Sequence, residues 1–321
     1  MLGRCNIPAV IIGLGGIAWK YDASRPSPFP LTQAAAMRAH GGIALLAGCS
    51  PEKLDREGFT AWSGLPAFVS HEEMLTEVRP QLVGICSPTE CHFEHFVKSV
   101  LSGARMIWLE KPPAANMRQC LEMERLAQKY GVTVCVNYFR RYLPLYQQFK
   151  TRLQSEMGPL FSLHIQYSPG LMRNGCHLLD LLFFLTDADS YHLLWKDAEQ
   201  AADSPSFALR LSTGQLALIS GGPLEYHSNS ISAVCANGIL SVLHGGADTL
   251  LEQRCPNPSF PGFFTLQNQS PDFDMQEPLD RYMERSLQDL IKSNQSGQAP
   301  LSNLKTARLS LRLMNEVLGN A

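Results

Sequence analysis

The feature that most restricts this chain is the rhythm of its first 136 residues, where short apolar, β-branched runs alternate with longer amphipathic stretches. Residues 8–12, 43–49, 67–69, 82–86, 105–109 and 132–136 read as strands, and 31–40, 71–78, 91–101 and 117–129 as helices. Strand runs that are apolar throughout, separated by helical segments, are what βαβ units around a buried parallel sheet require. Ser70 and Glu73 form a capping box that fixes the start of the second helix.

Directly after the first strand comes Gly13-Leu14-Gly15-Gly16-Ile17-Ala18. Gly13 permits a tight turn, Gly15 lets backbone N–H groups approach a pyrophosphate, and the small Ala18 allows close helix packing. Glycine turns after strands are common, so it is the place at the head of a βαβ series that points to a dinucleotide. The stretch 19–30 carries Pro26, Pro28 and Pro30, which predicts that the first helix stops after about one turn and that an inserted loop follows. At the end of the second strand stands Ser50, where an NAD enzyme usually places Asp or Glu against the ribose 2′-hydroxyl. Without that carboxylate, and with Lys53 and Arg56 nearby, the balance leans slightly to NADP over NAD. The competing arrangement has Ser50 opening a turn with Pro51 while Glu52 turns in to bind NAD.

Past residue 136 the pattern changes to a helix near 143–153, a strand at 160–167 and a densely apolar helix over 175–185. Strand-like runs at 206–211, 215–219, 231–236 and 239–244 then follow in succession, which predicts a largely antiparallel open sheet in an α+β domain. Residues 255–278 read as a long loop, and helices at 279–292 and 301–318 close the chain. The expected organisation is therefore an α/β Rossmann domain over 1–138, doubly wound around a parallel sheet, and a substrate-binding and oligomerisation domain over 139–321.

The length of 321 residues supports two domains with a core each. With 27 Lys+Arg against 29 Asp+Glu the chain has no global field suited to a phosphate backbone or an anionic membrane, so nucleic acid and membrane partners are not expected. The nine cysteines include no CxxC pair, which predicts free thiols and a cytoplasmic location. Arg4 with the apolar run 7–12 has the look of a signal peptide, but the glycines that interrupt the run favour the nucleotide fold.

Two further motifs follow the fourth and fifth strands: Cys86-Ser87-Pro88-Thr89-Glu90-Cys91-His92-Phe93-Glu94-His95, and Glu110-Lys111-Pro112. Together with the glycine turn they resemble the N-terminal domain of the Gfo/Idh/MocA oxidoreductases, whose pattern is a TPxxxH-like loop followed by EKP. Asn137 and the Arg140-Arg141 pair extend the resemblance. In the second half it rests on Tyr167-x-x-Gly170-Leu171-x-x-Asn174-Gly175-x-His177-x-x-Asp180, similar to a family segment that carries the catalytic histidine at the start of a helix. Many members place an aspartate four residues before that histidine, where this chain has Arg173. Asn174 resembles a subset with an Asn-Gly-x-His motif.

The resemblance implies an NAD(P)-dependent dehydrogenase or reductase acting on a secondary alcohol or carbonyl of a sugar, nucleotide sugar or cyclitol. It implies cofactor contacts from Gly13 to Ala18 and from Ser50, Ser87, Thr89, His92, Glu110 and Lys111, with His92 in the loop against the nicotinamide. It also implies a homo-oligomer, dimer or tetramer, assembled through the exposed face of the second sheet. The chemistry needs a base beside the carbinol oxygen, and the ordinary pKa of histidine, about 6.5, suits His177 to that task. Lys111 would place a cation on the same oxygen. Asn174, Tyr167, Arg141 and Asp180 are the expected substrate-binding residues, with Asp180 either orienting His177 from one turn away or pairing with a distant arginine.

Cys91-His92-x-x-His95 invites a metal reading, but no second ligand cluster accompanies it and His92 already belongs to the family-like loop, so no metal is expected. No G-x-S-x-G elbow supports a serine hydrolase. Two alternatives stay open: a non-catalytic NAD(P)- or sugar-binding regulator of the same fold, which Arg173 favours, and an enzyme that uses its cofactor without net redox.

Overall fold

The computed structural model describes residues 6–25, 27–197, 203–269 and 281–319. The chain divides into two compact units, Met1–Phe139 with Leu279–Leu311, and Arg140–Pro278 with Arg312–Ala321.

The first unit holds strands β1 (Ile7–Ile12), β2 (Ile43–Cys49), β3 (Ala67–Phe68), β4 (Leu82–Ile85), β5 (Met106–Leu109) and β6 (Thr133–Val136). All pair in parallel in the order β3-β2-β1-β4-β5-β6. Every residue of β4 and β5 is buried, as expected for a sheet covered on both faces. The intervening helices are α1 (Tyr21–Ser24), α2 (Gln33–Ala39), α3 (Lys53–Ser63), α4 (His71–Val78), α5 (Thr89–Leu101) and α6 (Met117–Tyr130). Side-chain caps set three of their starts: Thr32, Ser70 and Asn116 accept from the backbone N–H groups of Ala35, Glu73 and Gln119. The strand order reverses between β1 and β4, and in such sheets ligands bind outside the carboxyl ends of the strands at that switch point.

The segment after the glycine turn runs further than its prolines suggest. A wide π-type turn over Gly16–Lys20 continues into α1, giving two short turns in place of the one expected. Trp19 anchors it by donating from Nε1 to the Leu14 carbonyl at 2.9 Å and by packing its ring near Phe59 and Trp62. The inserted loop is closed by Asp22, whose carboxylate accepts from the Leu31 N–H at 3.1 Å and the Thr32 hydroxyl at 2.5 Å. Helix α3 was not expected; it is amphipathic but buries only Phe59.

The second unit contains α7 (Pro144–Ser155), β7 (Leu160–Ser168), α8 (Cys176–Thr186), β8 (Tyr191–Lys196), β9 (Phe207–Leu211), β10 (Leu216–Ser220), β11 (Ser228–Cys235), β12 (Gly238–Leu243), β13 (Asp248–Pro256) and β14 (Phe264–Gln269). They form an eight-stranded sheet in the order β14-β13-β12-β11-β7-β10-β9-β8. Only the β7–β10 pair is parallel. Along β7, Leu163, Ile165 and Tyr167 point inward and His164 and Gln166 outward, the alternation of a sheet with one covered face. All eleven residues of α8 are buried, which is why that segment is apolar on every side. The loop expected over 255–278 is corrected in part, because β13 runs to Pro256 and 264–269 form β14; residues 270–280 lie outside the described residues.

Helices α9 (Tyr282–Ser296) and α10 (Leu304–Leu318) follow. The boundary expected after residue 138 falls between Phe139 and Arg140, but Leu279–Leu311 joins the first unit, where α9 packs on β5, β6 and α2. Among the described residues no helix is long and apolar enough to cross a membrane.

Candidate active site

At the carboxyl end of β1, Gly13 takes φ +88°, and a Cβ there would lie 2.4 Å from the Ser87 amide nitrogen. Glycine at this position is thus what lets the β1 turn touch the loop after β4. Gly15 has nothing within 4 Å of an added Cβ. It leads into a helical turn whose first N–H groups lack intrahelical partners. An open approach beside unsatisfied donors fits a dinucleotide pyrophosphate. Leu14 and Ala18 are buried, so they offer the cofactor backbone only, while Gly16 and Ile17 are half-buried at the turn.

Ser50 closes β2 and is buried. Its hydroxyl accepts from the Glu52 N–H at 3.2 Å and lies 3.5 Å from the Asp55 carboxylate, which Lys20 pairs at 2.5 Å. Arg56 reaches back so that Nη1 donates to the carbonyls of Ser50 and Pro51 at 2.8 and 2.7 Å. Of the two cations considered for a 2′-phosphate, Arg56 sits at the strand tip, whereas Lys53 is exposed and faces Glu57.

The loop after β4 carries half-buried Ser87 and Thr89, the latter opening α5. His92 is buried, with Nδ1 2.9 Å from the Pro112 carbonyl and Nε2 2.8 Å from the Ser87 carbonyl. Its ring therefore ties the loop after β4 to the Glu110-Lys111-Pro112 loop and does not offer a nitrogen to a ligand. A neutral imidazole supplies one N–H, so only one of these carbonyls is served at a time, and burial lowers the pKa of the ring despite both. Beside it, His95 accepts from or donates to the Ser87 hydroxyl at 2.8 Å and meets the ring of His71 edge-on. Among the described residues no group of three or more His, Cys, Asp or Glu is placed to hold a metal ion.

His95 yields a pH prediction. Burial first, then repulsion from His71 and His92, pushes its pKa down to about 4, below the usual 6.5. The folded state then binds fewer protons than the unfolded state between these values, so stability is full above about pH 6.5 and is lost as pH falls toward 4. Urea midpoints measured from pH 7 to 4.5 should fall, and His95→Gln should flatten the slope; an unchanged slope would remove His95 from the account.

Glu110 directly follows β5 as a buried carboxylate. Its Oε1 accepts from Gln33 Nε2 at 2.9 Å and from Asn137 Nδ2 at 2.7 Å. Burial raises its pKa, opposed by these two amides and by the charge of Lys111. Gln33 reaches Glu110 across β4 because residue 84 is glycine: a Cβ on Gly84 would lie 2.6 Å from Gln33 Oε1. The half-buried Lys111 follows, with Pro112 locked by His92 on its far side. Gln33 was missed by sequence reading, since 77 residues separate it from Glu110.

In the second unit, His177 is buried at the start of α8. Asp180 takes the second of its two expected arrangements: it accepts from Arg141 Nε at 2.7 Å and Nη2 at 2.8 Å, with both side chains almost wholly buried. Arg141 and Asp180 are thereby paired with each other inside the second unit. Tyr167 is likewise corrected to a brace, fully buried with its hydroxyl donating to the Pro205 carbonyl at 2.7 Å. Asn174 is half-buried one turn before His177, and Arg173 is exposed. His227, which sequence reading did not single out, lies against Asn174 at 2.9 Å.

A family model described as the oxidoreductase family with NAD-binding Rossmann fold matches residues 7–138. Those residues belong to the Gfo/Idh/MocA oxidoreductases. The chain is similar to a D-glucoside 3-dehydrogenase of Escherichia coli, 30% identical over 104 residues that make up 32% of this chain and 29% of that one. The match thus spans under a third of that relative's length. Among solved structures it resembles a UDP-N-acetylglucosamine 3-dehydrogenase of Acidithiobacillus ferrooxidans, with TM-score 0.77, 16% identity and coverage of 98% and 97% of the two chains. It also resembles a 3-ketoreductase of Actinomadura kijaniata solved with TDP-benzene and NADP, with TM-score 0.75, 16% identity and coverage of 97% and 96%. At these identities the two structures show a shared fold. The matched family is one of NAD-binding oxidoreductases, and the match lies wholly in the Rossmann region of this chain.

Proposed function

We propose that this Gfo/Idh/MocA oxidoreductase interconverts a secondary alcohol and a ketone on a pyranose, free or nucleotide-linked, with carbon 3 as the reacting position. The observation that carries this reading is the placement of Lys111 two residues past the end of β5, braced by Glu110 on one side and Pro112 on the other, in a sheet whose switch point carries an open glycine turn. All three relatives described above are named for carbon 3 of a sugar or for a 3-keto group, which supports the position.

Gly13–Ala18, Ser87 and Thr89 would hold the dinucleotide, which when bound supplies hydride acceptance or donation at the reacting carbon. Arg56 at the tip of β2, beside a neutralised Asp55, favours a 2′-phosphate and so NADP. Lys111 would stabilise negative charge on the substrate oxygen, and His177 would take or return its proton. We further propose a homo-oligomer formed through the outward face of the eight-stranded sheet. Trp195 is 54% exposed there and, with Leu218 and His164, lines a hollow of about 480 Å³; sedimentation giving a monomer would oppose it.

The reaction is tested with methyl β-D-glucopyranoside and UDP-N-acetylglucosamine, each deuterated at carbon 3, against NAD+ and NADP+. Deuterium should appear in the reduced cofactor and a ketone at carbon 3. Tight cofactor binding without turnover on either sugar would instead favour the regulator.

A further inference from the structure

Strand β7 ends at Ser168, and a wide turn over Gly170–Gly175 leads into α8. Asn174 lies in that turn, one turn ahead of His177. Its Nδ2 stands 3.0 Å from the Ser168 carbonyl and 2.9 Å from His227 Nδ1. A carbonyl only accepts, so the atom facing Ser168 must be the amide NH2, and the orientation of the side chain is fixed without reference to the histidine. That nitrogen has two hydrogens and nothing to accept with. His227 Nδ1 is therefore the acceptor, and the proton of its ring sits on Nε2.

The position of His227 is itself built. It immediately precedes β11, whose first residue, Ser228, pairs with Ser168 in the antiparallel register of β11 on β7. The loop before it is stitched to the same corner by the Ser168 hydroxyl, which donates to the Leu224 carbonyl at 3.1 Å. His227 is exposed while the amide that holds it is half-buried. An exposed imidazole with its inner nitrogen clamped and its outer nitrogen carrying the hydrogen is a fixed donor facing outward.

We propose that His227 recognises the sugar, donating from Nε2 to an oxygen of the pyranose, and that Asn174 is the positioning residue that sets its tautomer. This rests on His177 belonging to the substrate site, as proposed above. It gives the Nδ2 of Asn174 a holding role, since both hydrogens of that nitrogen are spent on Ser168 and His227, and leaves only its Oδ1 to accept from a substrate.

The test has one arm that needs no turnover. In full-length protein labelled with 15N-histidine, two-bond 1H–15N spectra, with His227→Gln identifying the resonance, should show the Nε2–H tautomer for His227. Asn174→Asp, whose carboxylate can only accept, should move the hydrogen to Nδ1. Titration of the labelled protein with methyl β-D-glucopyranoside or UDP-N-acetylglucosamine should shift the His227 Nε2 signal. The kinetic arm uses whichever sugar is oxidised: His227→Ala should raise KM about 10-fold, the value of one lost hydrogen bond, with the loss falling on KM more than on kcat. His227→Gln, which keeps a donor at similar reach, should restore most of it. The Nδ1–H tautomer in the unmodified protein would overturn the proposal, as would a His227 signal that neither sugar moves. Absent turnover with a sugar-induced shift would refute the reaction and keep the recognition.

Discussion

Replacing Lys111 with alanine should reduce turnover by about 10²–10⁴-fold, the span attributed to a positioned acid, base or charge-stabilising group, while changing cofactor affinity little. The expectation follows from what surrounds the residue. Glu110 is held by Gln33 and Asn137, and the Pro112 carbonyl by His92, so the backbone on both sides of residue 111 is fixed by contacts the lysine does not make. Losing the side chain should leave the loop in place and remove only its ammonium group. Rates read at the NAD(P)H absorbance, with affinity from quenching of protein fluorescence, separate the two effects. Turnover within a few-fold of the unmodified protein would show that Lys111 does not act on the reacting oxygen.

Asp180→Ala should cost stability heavily, by about 3–5 kcal/mol, the usual result of stripping one partner from a buried ion pair. Arg141 and Asp180 meet in a two-pronged geometry with side chains 5% and 1% exposed, and the guanidinium also lies 5.3 Å from the centre of the Phe184 ring. Burial raises the pKa of Asp180 and the charge of Arg141 opposes it, so a lone survivor of the pair would sit charged in an apolar setting. For a unit of this size the loss corresponds to a melting temperature lower by on the order of 10 °C. The double replacement Arg141→Met with Asp180→Leu should recover much of it, because two apolar side chains leave no uncompensated charge. If the single variant melts within a degree or two of the parent, the pair does not anchor α8.

Much of the first unit could be read directly. Strand β2 and helix α4 lie where the sequence puts them, because β2 is a sharply bounded apolar run and Ser70 marks the start of α4. The loops after β4 and β5 carry their motifs where a parallel sheet exposes them. What stayed hidden depends on partners distant in sequence. Asp180 and Arg141 are 39 residues apart, and Asn174 and His227 are 53 apart, joined only once β7 and β11 find their register. Periodicity marked α9 as amphipathic without saying which sheet its apolar stripe would cover. Strand β14 is exposed along its whole length, and its short Phe264-Thr265-Leu266-Gln267 alternation sits in a Pro- and Asn-rich stretch that reads as loop.

Gly84 and Gln33 amount to one choice written at two places in the chain. A methyl group on β4 would press on the amide that steadies Glu110, with Met37 and Ile11 also close, and a shorter residue at 33 would remove that amide's bond to Glu110. Relatives that depart at one position should depart at the other, and a variant library varied at both should return matched pairs, with lone changes selected against.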